Sequence, residues 1–274
     1  MVQESLTHTP FAAPDDLSPD MHAVLLDALG GMAAHPEIQR VRRIAHEALR
    51  PAPGHRLLDA GCGLGEVARG LAADTGPTGE VVALDVSAAT VAAAAARSDG
   101  AVVRYARGDV AALDFPDGTF DGVRAERVLQ HVADPDAVIA ELVRVIRPGG
   151  RICLIDTDWD SLAFDGMPAG ITATVVEHVR DKVMGYAGRD IGRTLRGRLV
   201  RAGLADISAT PVTLLFGDPV SAARVLPMVS PDVPRAAGFL PEDSRDAWFT
   251  ALDAAGRRGD FLAVLTIWVV AANA

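Results

Sequence analysis

The spacing of the apolar residues changes along this chain from helical repeats to short unbroken runs. In Pro36–Leu49 the apolar side chains recur every three to four positions, the spacing of an amphipathic helix. Arg56–Asp59 and Glu80–Asp85 carry short apolar runs bounded by turn residues, which is typical of buried strands. The pattern therefore predicts a chain that alternates between helices and buried strands.

This alternation continues to about residue 156. The predicted elements are helices at Met21–Leu29 and Pro36–Leu49, strand Arg56–Asp59, a helix to about Ala73, strand Glu80–Asp85, helix Ala88–Arg97, strands Val102–Ala106 and Phe120–Ala125, helix Pro135–Ile146 and strand Arg151–Asp156. Beyond them, residues 160–203 are predicted to be helical, and Ile207–Phe216 and Phe261–Ala271 to be strands. Strands that alternate with helices indicate an α/β fold with a doubly wound, mainly parallel, seven-stranded Rossmann-like sheet.

Composition limits the function classes. The 274 residues suit one large domain, and a formal net charge of −10 makes nucleic acid an unfavourable partner. Mean hydropathy is +0.21, yet the longest apolar runs are too short to span a membrane, and no secretory signal is visible. We therefore expect a cytoplasmic protein without a membrane span. The two cysteines have neither metal nor disulfide spacing.

A glycine-rich segment, Asp59–Glu66, follows the first predicted strand. In open parallel sheets ligands bind where strands end, so this loop indicates the class of cofactor. Its glycines are spaced G-x-G-x-G, whereas dinucleotide-binding loops have G-x-G-x-x-G. Asp59 and Glu66 frame the loop with negative charge, which favours a cationic cofactor without phosphates. S-adenosylmethionine (SAM) carries an amino group and a sulfonium and has no phosphate.

The segments around these strand ends resemble the class I SAM-dependent methyltransferases. LLDAGCGLGEVARGLA is similar to their first motif, VVALDVSAAT to the ribose-binding motif, and RGDVAALDFPDGTFDGV to the adenine-binding region. AERVLQHV, with the later RPGG, resembles the motif that follows in small-molecule and ubiquinone/menaquinone-type enzymes. The resemblance covers residues 36–160, and the composition is similar to that of an actinobacterial secondary-metabolism branch.

The resemblance implies a set of cofactor contacts. Asp85 would bind both ribose hydroxyls, and Asp109 would accept from the adenine amine. Arg43 either reaches the cofactor carboxylate or pairs with Glu47. The complete set of cofactor-binding residues predicted is Asp59, Gly61, Cys62, Gly63, Gly65, Asp85, Val86, Ser87, Thr90, Gly108, Asp109, Val110 and Arg127.

The family pattern also implies an organisation. Residues 1–35 would form a lid or lead-in, 36–160 the SAM-binding core, and 161–274 the rest of the sheet with helical acceptor-binding insertions, all in one compact domain. The last strand would run antiparallel. Large apolar side chains predicted to line an acceptor pocket are Trp159, Phe164, Met167, Met184, Tyr186, Phe216, Met228, Phe239 and Trp248. They indicate a hydrophobic small-molecule acceptor, such as a natural-product intermediate.

His131 is the candidate general base, because it follows the fourth strand at the rim of the expected cleft. It could equally cap the next helix, and a carbon nucleophile needs no base. Asp156, Asp158 and Asp160 alternate along an extended segment, where a solvated polar loop is favoured over a Mg²⁺ site; we predict no bound metal.

The predicted function is therefore methyl transfer from SAM to an oxygen or carbon atom of a hydrophobic molecule. Two alternatives are a cyclase that keeps SAM on the same fold without methylating, and a dinucleotide-dependent oxidoreductase, which the glycine spacing disfavours. The sequence leaves a homodimer open.

Overall fold

The architecture was taken from a computed structural model, which describes Asp15 and residues 18–97, 100–184, 188–231 and 238–274. Much of the predicted lead-in, including residues 1–14, lies outside the described residues, as does Tyr186 of the predicted acceptor pocket. The helices are α1 Pro19–Ala33, α2 Pro36–Leu49, α3 Glu66–Thr75, α4 Ala88–Ala96, α5 Pro135–Arg144, α6 Ala169–His178, α7 Ile191–Arg201, α8 Pro219–Ala223 and α9 Arg245–Arg258. The strands are β1 Arg56–Ala60, β2 Glu80–Asp85, β3 Val103–Arg107, β4 Phe120–Glu126, β5 Ile146–Asp165, β6 Ala205–Phe216 and β7 Leu262–Asn273.

Short polar side chains fix where several helices begin. Ser87 precedes α4 and its hydroxyl accepts a hydrogen bond from the Thr90 backbone N–H. Asp134 accepts in the same way from the Ala137 N–H at the start of α5, where Pro135 occupies the first turn. Such caps satisfy backbone donors that have no partner inside the helix. Each helix therefore starts directly after a strand-end loop, which places that loop against the sheet.

The seven strands form one sheet in the order β3-β2-β1-β4-β5-β7-β6. The pairs among β1 to β5 are parallel, while β7 runs antiparallel to both β5 and β6. The predicted sheet with its antiparallel last strand is therefore confirmed. Because the parallel strands end at one edge, the loops after β1, β2 and β4 lie close together.

The core lies on both faces of the sheet. Leu57 belongs to a buried cluster with Ile38 and Val41 of α2, whereas its neighbour Leu58 belongs to a second cluster with Leu142 of α5. Successive side chains of a strand point to opposite faces, so an apolar run is buried on both sides. Helices therefore cover both faces of the sheet.

The structure corrects the sequence prediction after Asp156. Helix was predicted from residue 160, but β5 extends to Asp165, with an irregular register between Asp158 and Ala163. Beyond the irregularity, Ala163–Asp165 pair with Leu262–Val264 of β7. This pairing joins residues about one hundred positions apart, so local pattern could not indicate it. A π-helix, Val179–Val183, then follows α6.

Within the described ranges, each helix is either too short or too polar to cross a membrane.

Candidate functional site

A cavity of about 520 Å³ opens at the carboxyl edge of the parallel strands. Its polar side follows β1 to β4, and consists of the loops Gly61–Gly63, Asp85–Val86 and Gly108–Ala111 together with buried charged residues. Its apolar side consists of Leu25, Leu29, Met32, Trp159, Met184, Val225, Pro227, Phe239, Leu265 and Ile267. A concave site with an apolar lining and a few convergent polar groups is the usual form of a small-molecule site.

The glycine loop turns sharply after β1 and brings its backbone to the cavity. The N–H groups of Gly61 and Cys62 both donate to the Leu84 carbonyl, at 2.7 and 2.9 Å. Gly61 has φ of +76°, and a Cβ at this position would lie 2.2 Å from a methyl group of Val128. Only glycine combines this conformation with such close packing. The loop therefore presents backbone to a ligand.

Asp85 ties the ends of β1 and β2 together. Its carboxylate accepts from the Gly63 N–H at 3.0 Å and from the Ser87 N–H at 3.1 Å. Burial raises the pKa of Asp85, and these backbone donors counteract that rise. Asp85 lines the cavity, so the same carboxylate that fixes the loop faces the ligand space. Strand-end carboxylates of this kind accept hydrogen bonds from paired hydroxyls.

The next part of the polar side is formed after β3. Gly108, Asp109 and Val110 line the cavity. A Cβ at Gly108 would lie 2.7 Å from Leu84, so this position also needs glycine. Asp109 is exposed, and its carboxylate accepts from the Ala111 N–H at 2.8 Å, which makes it a turn residue as well as a cavity residue.

An arginine cluster lies beneath the glycine loop; it comprises Arg42, Arg124 and Arg127 with the carboxylates Asp59 and Glu126. Arg124 donates to Glu126 at 2.6 Å and lies 3.5 Å from Asp59. Arg42 donates to both Glu126 oxygens, at 3.2 and 3.1 Å. Three guanidinium groups face two carboxylates, so the cluster itself carries an excess of positive charge.

The pKa values of the two carboxylates in the arginine cluster are shifted in opposite directions. Burial alone would raise the pKa of Glu126, but Arg42, Arg124 and Arg127 together lower it to about 2. Burial raises the pKa of Asp59, and the more distant Arg124 opposes this only in part. Glu126 is therefore the anion that compensates the cluster.

Two cluster atoms have no hydrogen-bond partner among the described residues: Nη1 of Arg42 and Nε of Arg127. Both arginines line the cavity. Arg127 also has φ of +55°, in the left-handed region that side chains other than glycine seldom adopt. Its guanidinium is placed between Glu126 and Met32. Buried donors without partners next to a cavity fit an anionic ligand group.

His131 lies on the rim between the two sides, in a short 3₁₀ turn, Leu129–His131. Burial, with a smaller contribution from Arg127, lowers the pKa of His131 to about 3. The imidazole is therefore neutral at neutral pH. Its Nε2 lies 3.0 Å from Nε2 of Gln130.

The cavity brings most of the predicted cofactor-binding residues together. Those that line it are Asp59, Gly61, Cys62, Gly63, Asp85, Val86, Thr90, Gly108, Asp109, Val110 and Arg127. Gly65 and Ser87 do not: Gly65 begins α3 against the Tyr105 ring, and buried Ser87 caps α4. Burial raises the pKa of the Cys62 thiol far above its ordinary value, so this thiol stays protonated.

Sequence reasoning missed several polar residues of the cavity, among them Arg42, Arg124, Glu126 and Gln130. The sequence analysis considered Arg43 for the cofactor carboxylate. Arg43 is exposed on the outer face of α2, whereas Arg42 lines the cavity. A signal was present, because Arg42 lies four positions after buried Ile38 and so shares its face of the helix.

The predicted acceptor pocket is only partly reproduced. Trp159, Met184 and Phe239 line the cavity. Phe216, Met228 and Trp248 belong to the hydrophobic core and do not line the cavity, and partly buried Phe164 and Met167 pack against that core. Helical or strand spacing cannot distinguish a core position from a cavity wall.

The aspartates after β5 have separate surroundings. Asp156 is buried and accepts from the backbone N–H groups of Thr157 and Gln130, and burial raises its pKa to about 7. Asp158 and Asp160 both pair with Arg193. No cluster of metal-ligating side chains occurs in the part of the chain that the structure describes.

Comparison with known proteins gives one family match and several relatives. A family model described as a methyltransferase domain matches residues 58–154. An uncharacterized 37.1 kDa protein in transposon TN4556 of Streptomyces fradiae is 36% identical over 266 residues, which cover 96% of this chain and 72% of that protein.

A second relative is a ubiquinone/menaquinone biosynthesis C-methyltransferase, UbiE, from Cupriavidus necator. It is 34% identical over 106 residues, which cover 38% of this chain and 44% of the relative. This chain thus matches less than half the length of that enzyme.

Among solved structures, the chain resembles a Haemonchus contortus phosphoethanolamine N-methyltransferase in complex with S-adenosylhomocysteine. The TM-score is 0.60 at 17% identity, with coverage of 95% of this chain and 59% of that one. At this identity the likeness concerns the fold.

Proposed function

Because the chain belongs to the class I SAM-dependent methyltransferases, with SAM as its cofactor, we propose that it transfers a methyl group to an oxygen or carbon atom of a hydrophobic small molecule. The observation that carries this proposal is the division of the cavity, whose polar side fits SAM and whose apolar side provides a second compartment. When bound, SAM supplies an activated methyl group on a sulfonium.

The residues of the polar side match the parts of SAM one by one. Asp85 accepts from the ribose hydroxyls, and the Gly61–Gly63 backbone approaches the methionine part. Arg42 and Arg127 have unpartnered donors that suit the methionine carboxylate. Asp109 and Val110 lie on the adenine side, with Val86 and Thr90 next to them. Gly65 and Ser87 support this site indirectly, by starting α3 and α4.

The acceptor is proposed to lie against the apolar side. Trp159, Phe239 and Ile267 offer it aromatic and aliphatic surface. The relative UbiE is named for C-methylation in ubiquinone and menaquinone biosynthesis, which supports an apolar, quinone-like or natural-product acceptor. The enzyme's contribution is then mainly to hold the acceptor in line with the methyl group.

His131 is proposed to contact the acceptor and to take its proton when the acceptor is a hydroxyl. A base with a pKa of about 3 is weak, so it suits an acidic phenol or enol better than an alkyl alcohol. With SAM bound, the methyl group would pass from the sulfonium to the acceptor oxygen, and S-adenosylhomocysteine would be left. His131 would take the proton of the acceptor hydroxyl. A carbon acceptor that is already an enolate needs no base.

The deciding experiment incubates the protein with methyl-labelled SAM and a panel of hydrophobic phenols, enols and quinols. We expect label in the extracted product, and we expect SAM and S-adenosylhomocysteine, but not NADH, to raise the unfolding temperature. Cyclised product without label would replace the proposal with the cyclase alternative. Stabilisation by NADH alone would support the oxidoreductase.

A pH profile tests His131. Because burial holds its pKa at about 3, the imidazole is neutral through neutral pH, so turnover should not rise around pH 6–7 through this group. His131→Ala should lower turnover by roughly 10²–10⁴-fold and leave affinity for S-adenosylhomocysteine unchanged. A rise near pH 6.5 that His131→Ala abolishes would contradict the lowered pKa, and unchanged turnover would remove His131 as base.

A further inference from the structure

Two side chains, Trp159 and Gln130, connect the apolar side of the cavity to His131. The Trp159 indole N–H donates to Oε1 of Gln130 at 2.9 Å, and Nε2 of Gln130 lies 3.0 Å from Nε2 of His131. Trp159 and Gln130 are 6% and 8% exposed, so water competes little for these contacts. All three residues line the cavity.

The tryptophan fixes which atoms donate and which accept in these two contacts. An indole N–H is only a donor, so the Gln130 atom that faces it must be the carbonyl oxygen. The amide nitrogen therefore faces His131. Turning the amide round would set an indole N–H against an NH₂ group and leave a buried donor unsatisfied.

The backbone of Gln130 is also held in place. Its N–H donates to the buried Asp156 carboxylate at 3.3 Å, and its carbonyl lies against Gly188, where a Cβ would come within 2.6 Å. Gln130 therefore reaches His131 from a fixed position. An NH₂ group can only donate, so the nitrogen of His131 that it meets must accept.

We propose that Trp159 and Gln130 are positioning residues that keep the proton of neutral His131 on Nδ1 and make Nε2 the lone-pair nitrogen. This inference rests on the proposed function insofar as it assigns His131 a part in methyl transfer. His131 can take an acceptor's proton at Nε2 only when the Gln130 amide withdraws from that atom. The Trp159 ring belongs to the apolar side, so the acceptor that packs there contacts the residue that holds Gln130.

The test is nitrogen NMR of the His131 ring in ¹⁵N-labelled full-length protein, with His131→Ala used to assign its signals. The wild type should show a protonated Nδ1 and an unprotonated Nε2 at neutral pH. Trp159→Phe keeps an aromatic ring but removes the donor, so Gln130 can turn and the signals should move toward a mixture of both tautomers.

Trp248→Phe is the matched control. Trp248 is also buried, and its indole N–H donates to the Met228 carbonyl at 2.8 Å instead of to Gln130. This variant should leave the His131 signals as in the wild type. A wild type protonated on Nε2 would overturn the proposal, as would identical signals in the Trp159 and Trp248 variants.

A second variant covers the case in which Trp159→Phe does not fold. Gln130→Glu replaces the donor by a carboxylate, which should draw a proton onto Nε2 and raise the His131 pKa from about 3 toward neutrality. An unmoved titration would overturn the proposal. The NMR experiment needs no methyl acceptor, so a wrong tautomer prediction would leave the proposed function unchanged. Conversely, if methyl transfer is not detected, the His131 tautomer can still be measured.

Discussion

The polar side of the cavity is made by loops that follow parallel strands, whereas the apolar side is assembled from distant parts of the chain. The polar loops lie within residues 59–134, while the apolar residues come from α1 and from positions 159–267. One side offers charged side chains and close approach of the backbone at fixed positions, and the other offers an apolar surface. Charge requires particular residue types at particular places, but an apolar surface can be built from many side chains.

The largest expected effect is a loss of stability when the arginine cluster on the polar side is changed. Glu126→Gln removes the carboxylate that compensates Arg42, Arg124 and Arg127, and leaves buried charge uncompensated. We expect a loss of about 3–5 kcal/mol in the free energy of unfolding. Urea denaturation measures it, and Asp117→Asn, in an exposed pair with Arg144, should change stability by less than about 1 kcal/mol. Equal effects of the two substitutions would refute this account.

The same carboxylate predicts a dependence on pH. The pKa of Glu126 is lowered from 4.5 to about 2 in the folded protein, so its stabilisation is fully present above pH 4.5 and is lost as the pH falls through about 2. Urea denaturation between pH 5 and pH 3 should show wild type losing stability relative to Glu126→Gln. Parallel pH curves would contradict the assignment.

The next effect concerns cofactor affinity. Asp85→Ala removes the proposed acceptor for the ribose hydroxyls, which also accepts from the Gly63 and Ser87 backbone N–H groups. Hydrogen bonds to a charged group contribute about 1.5–3 kcal/mol each, so the Kd for S-adenosylhomocysteine should rise by roughly 100-fold or more. Calorimetric titration measures it, with exposed Asp136→Ala as the control. A rise of less than about threefold would exclude Asp85 from the site.

Two neighbouring arginines give a more demanding test of the polar side. Arg42→Ala should weaken S-adenosylhomocysteine binding by roughly 10- to 100-fold, because it removes a donor for the carboxylate. Arg43→Ala, on the exposed face of the same helix, should leave binding unchanged. If both variants bind alike, the methionine carboxylate is held elsewhere.

The smallest effect on cofactor binding should come from the apolar side. Leu29→Ala removes apolar surface from the cavity, so the KM for an acceptor identified by methyl labelling should rise up to about tenfold. The Kd for S-adenosylhomocysteine should stay within about twofold, and Leu29→Met should preserve both values. A large loss of cofactor affinity would show that the two sides are not separate.

The contrast between neighbouring residues and residues from distant parts of the chain also explains how much of the fold and of the site the sequence could predict. The bounds of α2 and β2 follow from local apolar spacing, and the Gly61–Gly65 loop from its glycines, because a few consecutive residues determine each feature. The pairing of Arg42 with Glu126 could not be predicted, since the two residues are 84 positions apart and meet only through the fold. The end of β5 depends in the same way on pairing with β7.

The apolar side is the least predictable part of the site. Trp159 and Trp248 are both buried, yet one lines the cavity and the other fills the core. Residue type alone does not separate these two roles. Trp159 also lies between Asp158 and Ala163, where the register of β5 with β7 is irregular, and local sequence does not indicate such an irregularity.

The left-handed backbone of Arg127 has a consequence for how this protein can change over evolution. A residue with a Cβ costs roughly 1–2 kcal/mol in this conformation, and glycine would remove that cost. Glycine would also delete the guanidinium beside the cavity. Selection for stability and selection for ligand binding therefore favour different residues at position 127. A lineage that lost the ligand would be expected to drift toward glycine or asparagine there, and a lineage that kept it would retain the strained arginine.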